Sequence, residues 1–267
     1  MEYDEIYQRN IGLFSKEEQN KLHNAKVCIA GVGGVGSYQA VALARLGVGE
    51  ISIMDPGVFD PPDMNRQYGA MLSTMDMNKA LATEKILKDI SPHLKITTYT
   101  KAAQTYEDVE EFIDGADIVV DAIDYAGFDY KQMLHQCSRD AGLYVLSAPI
   151  PAFGASMQIF SPKGMPIEEF YQAPKDKKEW AKYRLPISVI APKDIIPEVL
   201  LDFENQKIDY LSTNGASAQL AGALLGMEIA LMITGKRKKD DLIVVPDMVF
   251  IDLLTREYRV FNPLKMI

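Results

Sequence analysis

The chain has 267 residues, 48% of them apolar, and carries 37 acidic against 28 basic side chains for a formal charge of −9. That length and apolar content allow a substantial core, and the acidic balance argues against a nucleic acid or an anionic membrane as the main partner. Two cysteines, Cys28 and Cys137, and three scattered histidines form neither a disulfide framework nor a zinc-binding spacing, so a cytoplasmic protein without zinc is expected. The N-terminal "MEYDEIYQRN" is polar and acidic and does not read as a signal peptide. Gln219 and Glu228 interrupt the apolar run at 218–233, which is expected to fall short of a membrane span.

Along the chain, "SKEEQNKLHNA" predicts a helix with Ser15 as N-cap and Glu18 completing a capping box. "KVCIAGV" then reads as a buried strand, "GSYQAVALARLGVG" as a helix with a glycine stop, and "EISIMD" as a second buried strand. Strand, glycine turn, helix and strand within about thirty residues make a βαβ unit. The alternation continues with the helix "NKALATEKILKDI", strand "KITTYT", helix "EDVEEFID", strand "ADIVVDAI", helix "DYKQMLHQCSRDAG" and strand "LYVLSAP". The fold class is therefore α/β, a doubly wound and mostly parallel sheet with a Rossmann-like nucleotide site.

Prolines 149, 151, 162, 166, 174, 186, 192 and 197 then break the regularity, and this stretch is expected to form strand edges and a long, partly ordered substrate or lid segment. "NGASAQLAGALLGMEIALMITG" reads as a helix with small residues on one side. "DLIVVPDMVFIDLLTREYRVFNP" follows as a C-terminal antiparallel extension, a hairpin expected to lie against the sheet. The chain thus divides into an N-terminal helical arm (1–25), a nucleotide-binding core (26–150), a variable proline-rich segment (151–210) and a C-terminal helix and hairpin (211–267).

In "GVGGVGS", Gly31, Gly33, Gly34 and Gly36 follow a strand and open a helix, so backbone N–H groups can face a phosphate with no Cβ in the way. Asp55 ends the second strand nineteen residues after Gly36, a place from which a carboxylate accepts hydrogen bonds from ribose hydroxyls. These features serve a dehydrogenase and an ATP enzyme equally. Arg66 in "DMNRQYGA", Lys79 at a helix start and Asp124 at the end of "ADIVVDAID" distinguish them. An Arg and a Lys suit a triphosphate, and a carboxylate suits its magnesium ion.

The motifs "YQRN" with Arg9, "GVGGVGS", "LGVGEISIMD", "NRQ", Lys79 in "MDMNKALATEKI" and "DIVVDAID" occur in the order that resembles the ubiquitin-activating-enzyme-like adenylyltransferases of the ThiF/MoeB/HesA family. "GALLGMEIALMITGK" and "FIDLLTREYRVF" extend the resemblance to the C-terminus. It implies that a carboxylate, typically the C-terminus of a ubiquitin-like carrier protein or a peptide, attacks the α-phosphorus of ATP. By resemblance Arg66 and Lys79 hold the phosphates with help from Gln67, Asp55 binds the ribose and Asp124 binds magnesium. Arg9 would act in the neighbouring subunit of a homodimer.

The chain departs from that pattern at four places. Gly57 stands where the family has a second acid, Asp63 where it has Asn, and Tyr125 where it has Asn; the family's later Arg falls at Asp129 or Tyr130. No cysteine lies at 160–200, so an enzyme thioester is not expected. The competing readings are an NAD-dependent oxidoreductase, which leaves Arg66, Lys79 and Asp124 without a task, and a catalytically degenerate nucleotide-binding scaffold.

Overall fold

The computed structural model describes residues 1–125 and 127–265; the last two positions of the C-terminal region lie outside it. Two helices lead the chain, α1 (Tyr3–Ile6) and α2 (Lys16–Asn24). The α2 cap forms as expected, Glu18 N–H donating to Ser15 Oγ at 3.2 Å and Ser15 N–H to the Glu18 carboxylate at 2.7 Å. The alternating region then runs β1 (Lys26–Ala30), α3 (Gly36–Leu46), β2 (Glu50–Met54), α4 (Lys79–Ile90), β3 (Lys95–Tyr99), α5 (Tyr106–Ile113), β4 (Ile118–Asp121), α6 (Phe128–Asp140) and β5 (Tyr144–Ser147).

These five strands are parallel, in the order β3-β2-β1-β4-β5. The chain winds outward from β1 on one side and then returns to begin again at β4 on the other. The carboxyl ends of β1 and β4 therefore flank the point where strand order reverses, and a crevice opens there. β1, β2 and β4 are buried along nearly their whole length because helices cover both faces of the sheet.

Beyond β5, the strand β6 (Gly154–Phe160) turns antiparallel, and β7 (Met248–Asp252) and β8 (Glu257–Phe261) follow it to the sheet edge. The C-terminal strands thus extend the sheet in its own plane, where the sequence suggested a hairpin lying against it. β6 contains no proline and is buried along its whole length. After it the chain forms α7 (Ile167–Phe170), several single turns and α8 (Glu198–Glu204). This segment is held by its aromatics: the Phe128 ring of α6 meets Trp180 and Tyr183 edge-on at 5.5 and 5.3 Å.

Each face of the sheet has its own core. One is built on α3, α4 and α9 (Gly215–Thr234), the other on α5, α6 and the proline-rich segment. At 20 residues and a mean hydropathy of 1.6, α9 is long and apolar enough to cross a membrane, so Gln219 and Glu228 do not shorten it as expected. Half of that stretch is buried against the rest of the fold, and Glu228 takes a two-point ion pair from Arg237 at 2.9 and 3.1 Å.

Gly222 and Gly226 let α9 approach α3 backbone to backbone. A Cβ at Gly222 would stand 2.5 Å from Tyr38 Cβ and 2.9 Å from its carbonyl carbon. Gly222→Ala is expected to destabilise the fold by roughly 1–3 kcal/mol, since the Tyr38 backbone and Cβ of α3 cannot rotate away; urea denaturation checks this, and an unchanged midpoint would show that the two helices can part without loss.

Candidate active site

The crevice at the reversal point is a cleft of about 1170 Å³. Gly31 N–H donates to Met54 O at 2.8 Å, and Gly31 adopts φ +91°, a left-handed conformation that glycine takes without strain. Gly31, Gly33 and Gly34 line the cleft. Gly36 does not; it is buried at the first turn of α3, where a Cβ would strike Gly31 O. Its task is to let the helix start close to the strand, which aims the N-terminus of α3 at the cleft.

Asp55 lines the cleft just after β2. Its Oδ2 accepts Val32 N–H at 2.9 Å and its Oδ1 accepts Gly57 N–H at 2.8 Å. The carboxylate thereby joins the glycine loop to the β2 loop, and each oxygen keeps lone-pair capacity for a hydroxyl. Asn78 caps α4 and ties it to the same loop, accepting Leu81 N–H and donating to Asp55 O and Gly57 O at 3.0 and 3.1 Å.

That cap places Lys79 at the cleft wall, with its ammonium 2.9 Å from Asp63 Oδ2. Asp63, 5% exposed, gathers the other polar groups too. Gln67 Nε2 donates to its Oδ1, and Arg66 Nη2 stands 3.7 Å away. Arg66 is steadied by Pro62 O and Asn65 Oδ1 at 2.9 and 3.0 Å. Arg66, Gln67 and Lys79 thus converge on the cleft beside Gly33 and Gly34, with a Gly33 Cβ position 3.4 Å from Gln67 Oε1 and a Gly34 one 3.8 Å from the Arg66 side chain. The Gln67 Oε1 atom is buried with no protein partner.

Asp124 lies on the opposite wall, three residues beyond the end of β4 rather than at its last position. It is exposed, and one of its oxygens accepts Tyr125 N–H at 2.7 Å, which leaves the other facing out. No group of three His, Cys, Asp or Glu side chains forms a metal cluster among the described residues. A single available carboxylate is nonetheless what a magnesium ion needs when substrate phosphates and water complete its shell.

Arg9 does not line the cleft. It is exposed on the N-terminal arm, which is fastened to the far end of α3 by Tyr3 Oη to Gly47 O, Tyr7 Oη to Ala44 O and Asn10 Nδ2 to Leu46 O at 2.6, 2.7 and 3.2 Å. The length of α3, roughly 16 Å for its turns, separates the arm from the glycine loop. Arg184 does reach the cleft from the proline-rich segment, stacked 4.7 Å over the Phe203 ring and donating to Phe203 O at 2.9 Å. Tyr171 and Tyr210 share that wall. Both thiols are buried, and burial pushes each up to about 11, so neither supplies a thiolate.

A polar network at the cleft floor was not anticipated from sequence. Asp121, the last residue of β4, receives Lys131 Nζ at 2.8 Å, His135 Nε2 at 2.9 Å and Ile123 N–H at 3.1 Å. Lys131, rather than position 129 or 130, is the α6 cation that lines the cleft. The sequence signal was the i, i+4 spacing of Lys131 and His135 below a strand-end carboxylate. Burial works to raise the Asp121 carboxyl, but the Lys131 ammonium and the His135 hydrogen bond outweigh it and hold it below the usual carboxylate range.

Burial pulls the His135 imidazole below its ordinary value of 6.5 despite Asp121, so the ring is neutral and donates Nε2–H to the carboxylate. Below that pH an unfolded chain takes up a proton that the folded one refuses, so stability falls with acidification. His135→Asn retains an N–H donor and removes the titration. From about pH 7 to about pH 5 this variant is expected to lose less stability than the parent, by up to about 1.4 kcal/mol per pH unit in urea titrations; parallel curves would show that the ring takes up its proton in the fold as readily as in the unfolded chain.

Comparison with known proteins bears on the fold and the family. Over 138 residues the chain is 38% identical to the tRNA threonylcarbamoyladenosine dehydratase of Bacillus subtilis, covering 51% of this chain and 54% of that protein. Over 116 residues it is 31% identical to the adenylyltransferase and sulfurtransferase UBA4 of Lodderomyces elongisporus, covering 43% and 25%. The chain thus spans about half of the first relative and a quarter of the second. Its fold is that of PaaA, with a TM-score of 0.73 at 18% identity over 97% of this chain and 73% of that one. Escherichia coli MccB, solved with ATP, superposes with a TM-score of 0.69 at 21% identity over 92% and 65%. The ThiF family profile matches residues 7–266, and the chain belongs to the ThiF family.

Proposed function

We propose that this protein adenylates a carboxylate at the expense of ATP. The observation that carries the reading is the convergence of Arg66, Gln67 and Lys79 on the wall beside the glycine loop, opposite Asp124. A dinucleotide enzyme requires only the glycine loop and Asp55; two cations and an amide gathered beside them suit a triphosphate. In this reading Asp55 holds the ribose and the N–H groups at the α3 start face the phosphates. The acceptor carboxylate oxygen attacks the α-phosphorus, forming an acyl–O–P bond as the bond to the β-phosphate oxygen breaks and pyrophosphate leaves. Arg66 and Lys79 neutralise the charge that builds on the departing phosphates. A magnesium ion held by Asp124 would add further charge neutralisation there.

The acceptor is read as the C-terminus of a peptide or a ubiquitin-like carrier protein. The cleft also takes in Tyr171, Arg184, Phe203 and Tyr210, and its volume of about 1170 Å³ leaves room for an acceptor beside the nucleotide. MccB, of the same fold, has been solved with MccA, and a Haloferax volcanii relative is named SAMP-activating enzyme E1. The B. subtilis relative is named for a tRNA nucleoside, but a charge of −9 disfavours a tRNA surface here. Buried thiols support transfer without an enzyme thioester.

The test is exchange of labelled pyrophosphate into ATP with candidate acceptors. Arg66→Ala and Lys79→Ala are each expected to lower exchange by about a hundredfold or more. Nucleotide binding with no exchange for any acceptor would instead support a scaffold, and tight NADH binding without ATP affinity would support an oxidoreductase. Arg9 is proposed to complete the site of a partner copy in a homodimer, since it is exposed and remote from the cleft of its own chain. Mixing Arg9→Ala with Lys79→Ala protomers should then restore part of the activity; heterodimers without recovery would place the whole site within one chain.

A further inference from the structure

We propose that Asp63 is an internal surrogate for phosphate: its carboxylate holds Lys79, Gln67 and Arg66 in place until a polyphosphate takes them over, and its charge then limits how tightly that polyphosphate is kept. The inference rests on the adenylation reading only for the identity of the polyphosphate.

Asp63 is buried and well supplied with donors. Lys79 Nζ lies 2.9 Å from Oδ2, which also accepts Asp60 N–H at 3.2 Å, while Gln67 Nε2 bonds Oδ1 and Arg66 Nη2 stands 3.7 Å from it. Two features separate this cluster from an ordinary structural ion pair. Its three side-chain donors, Arg66, Gln67 and Lys79, all line the cleft, and Gln67 aims an unpartnered, buried Oε1 beside Gly33. The second feature is Gly57. A Cβ there would stand 3.4 Å from the Lys79 methylenes and 3.0 Å from Asp55 Oδ1, so an acid at 57 would lie beside the Lys79 stem. The chain has no acid at that position, and among the described residues Asp63 is the one carboxylate within ion-pair distance of Lys79.

The physical consequence has two parts. Before nucleotide arrives, the buried carboxylate fixes the donors where an anion will need them, so little reorganisation remains at binding. Once a polyphosphate occupies the wall, the same carboxylate is a like charge a few ångströms away and opposes its retention. The effect falls on ligands that reach the Lys79–Arg66 wall with several charges. It is smallest for a nucleotide with a single phosphate, and the product that must leave, pyrophosphate, feels it most.

The experiment uses the full chain with Asp63→Asn, Gly57→Asp and the double variant. Asparagine keeps one oxygen, for Lys79, and turns its amide N–H toward Gln67, whose side-chain amide can flip to accept it, so the charge is removed and the contacts are kept. Binding of inorganic pyrophosphate, ATP and AMP is measured calorimetrically, and labelling of the Lys79 amine by acetic anhydride is followed by mass spectrometry without ligand. D63N is expected to bind pyrophosphate and ATP about tenfold more tightly with AMP unchanged, and its Lys79 to label faster. G57D is expected to weaken pyrophosphate about tenfold, and the double variant to return to within about twofold of the parent. Unchanged pyrophosphate affinity in D63N or G57D, equal tightening of AMP, or an unchanged Lys79 labelling rate would overturn the assignment. These shifts without exchange for any acceptor would keep it while the adenylation reading fell; normal exchange without the shifts would do the reverse.

Discussion

The close approach of α3 to the end of β1 governs everything else in the cleft. It depends on two glycines: Gly31 turns the chain in a left-handed conformation, and Gly36 starts the helix where a side chain would collide with the Gly31 carbonyl. The helix N-terminus then stands directly over the reversal point of the sheet, with its free N–H groups facing outward. Asp55 reinforces the arrangement by bonding one N–H from each of the two flanking loops. A Cβ at Gly36 would strike the Gly31 carbonyl and push α3 outward, and one at Gly31 would strike the Ala122 carbonyl just beyond β4.

Charge is distributed against the overall composition. The chain is acidic, yet the cleft presents Arg66 and Lys79 beside the glycine loop, Lys131 at its floor and Arg184 from the proline-rich segment. Each cation is tethered: Lys79 and Arg66 to Asp63, Lys131 to Asp121, and Arg184 to the Phe203 carbonyl. Tethering restricts the rotamers of long side chains before a ligand arrives, which is the condition for electrostatic preorganisation. The arrangement at Asp121 is also self-contained, since its two oxygens are taken by an ammonium, an imidazole and a backbone N–H in a buried setting.

The proline-rich segment contributes a wall by a different route. Prolines prevent long helices, but they do not prevent packing: Trp180, Tyr183, Phe170 and Tyr171 pack on α6 and β6 and close the second core. The Tyr171 hydroxyl donates to the buried Gln158 of β6, fixing that ring at the cleft edge. The Tyr171–Arg184 end of the cleft is thus made by residues distant in sequence from the glycine-loop end.

Much of this was legible in the residues alone. Buried β-branched runs, glycine turns and the Ser15–Glu18 capping box specify local structure through steric and hydrogen-bond rules that operate within a few residues, so the βαβ order and its parallel sheet could be read directly. The convergence of Gly31, Asp55, Arg66, Lys79 and Asp124 followed from that topology, because parallel strands bring their carboxyl ends together. Tertiary structure alone decided the rest. Asp63 looked like a misplaced charge until the fold set it beneath Lys79. Asp121, Lys131 and His135 form one network only because α6 packs its inner face over the end of β4. The hairpin joined the sheet edge because β6 left an unpaired ladder there, a partner no local pattern reveals. Local rules reach about one helical turn or one strand; which side chains share a carboxylate, and which edge remains open, depend on contacts between elements separated by tens to hundreds of residues.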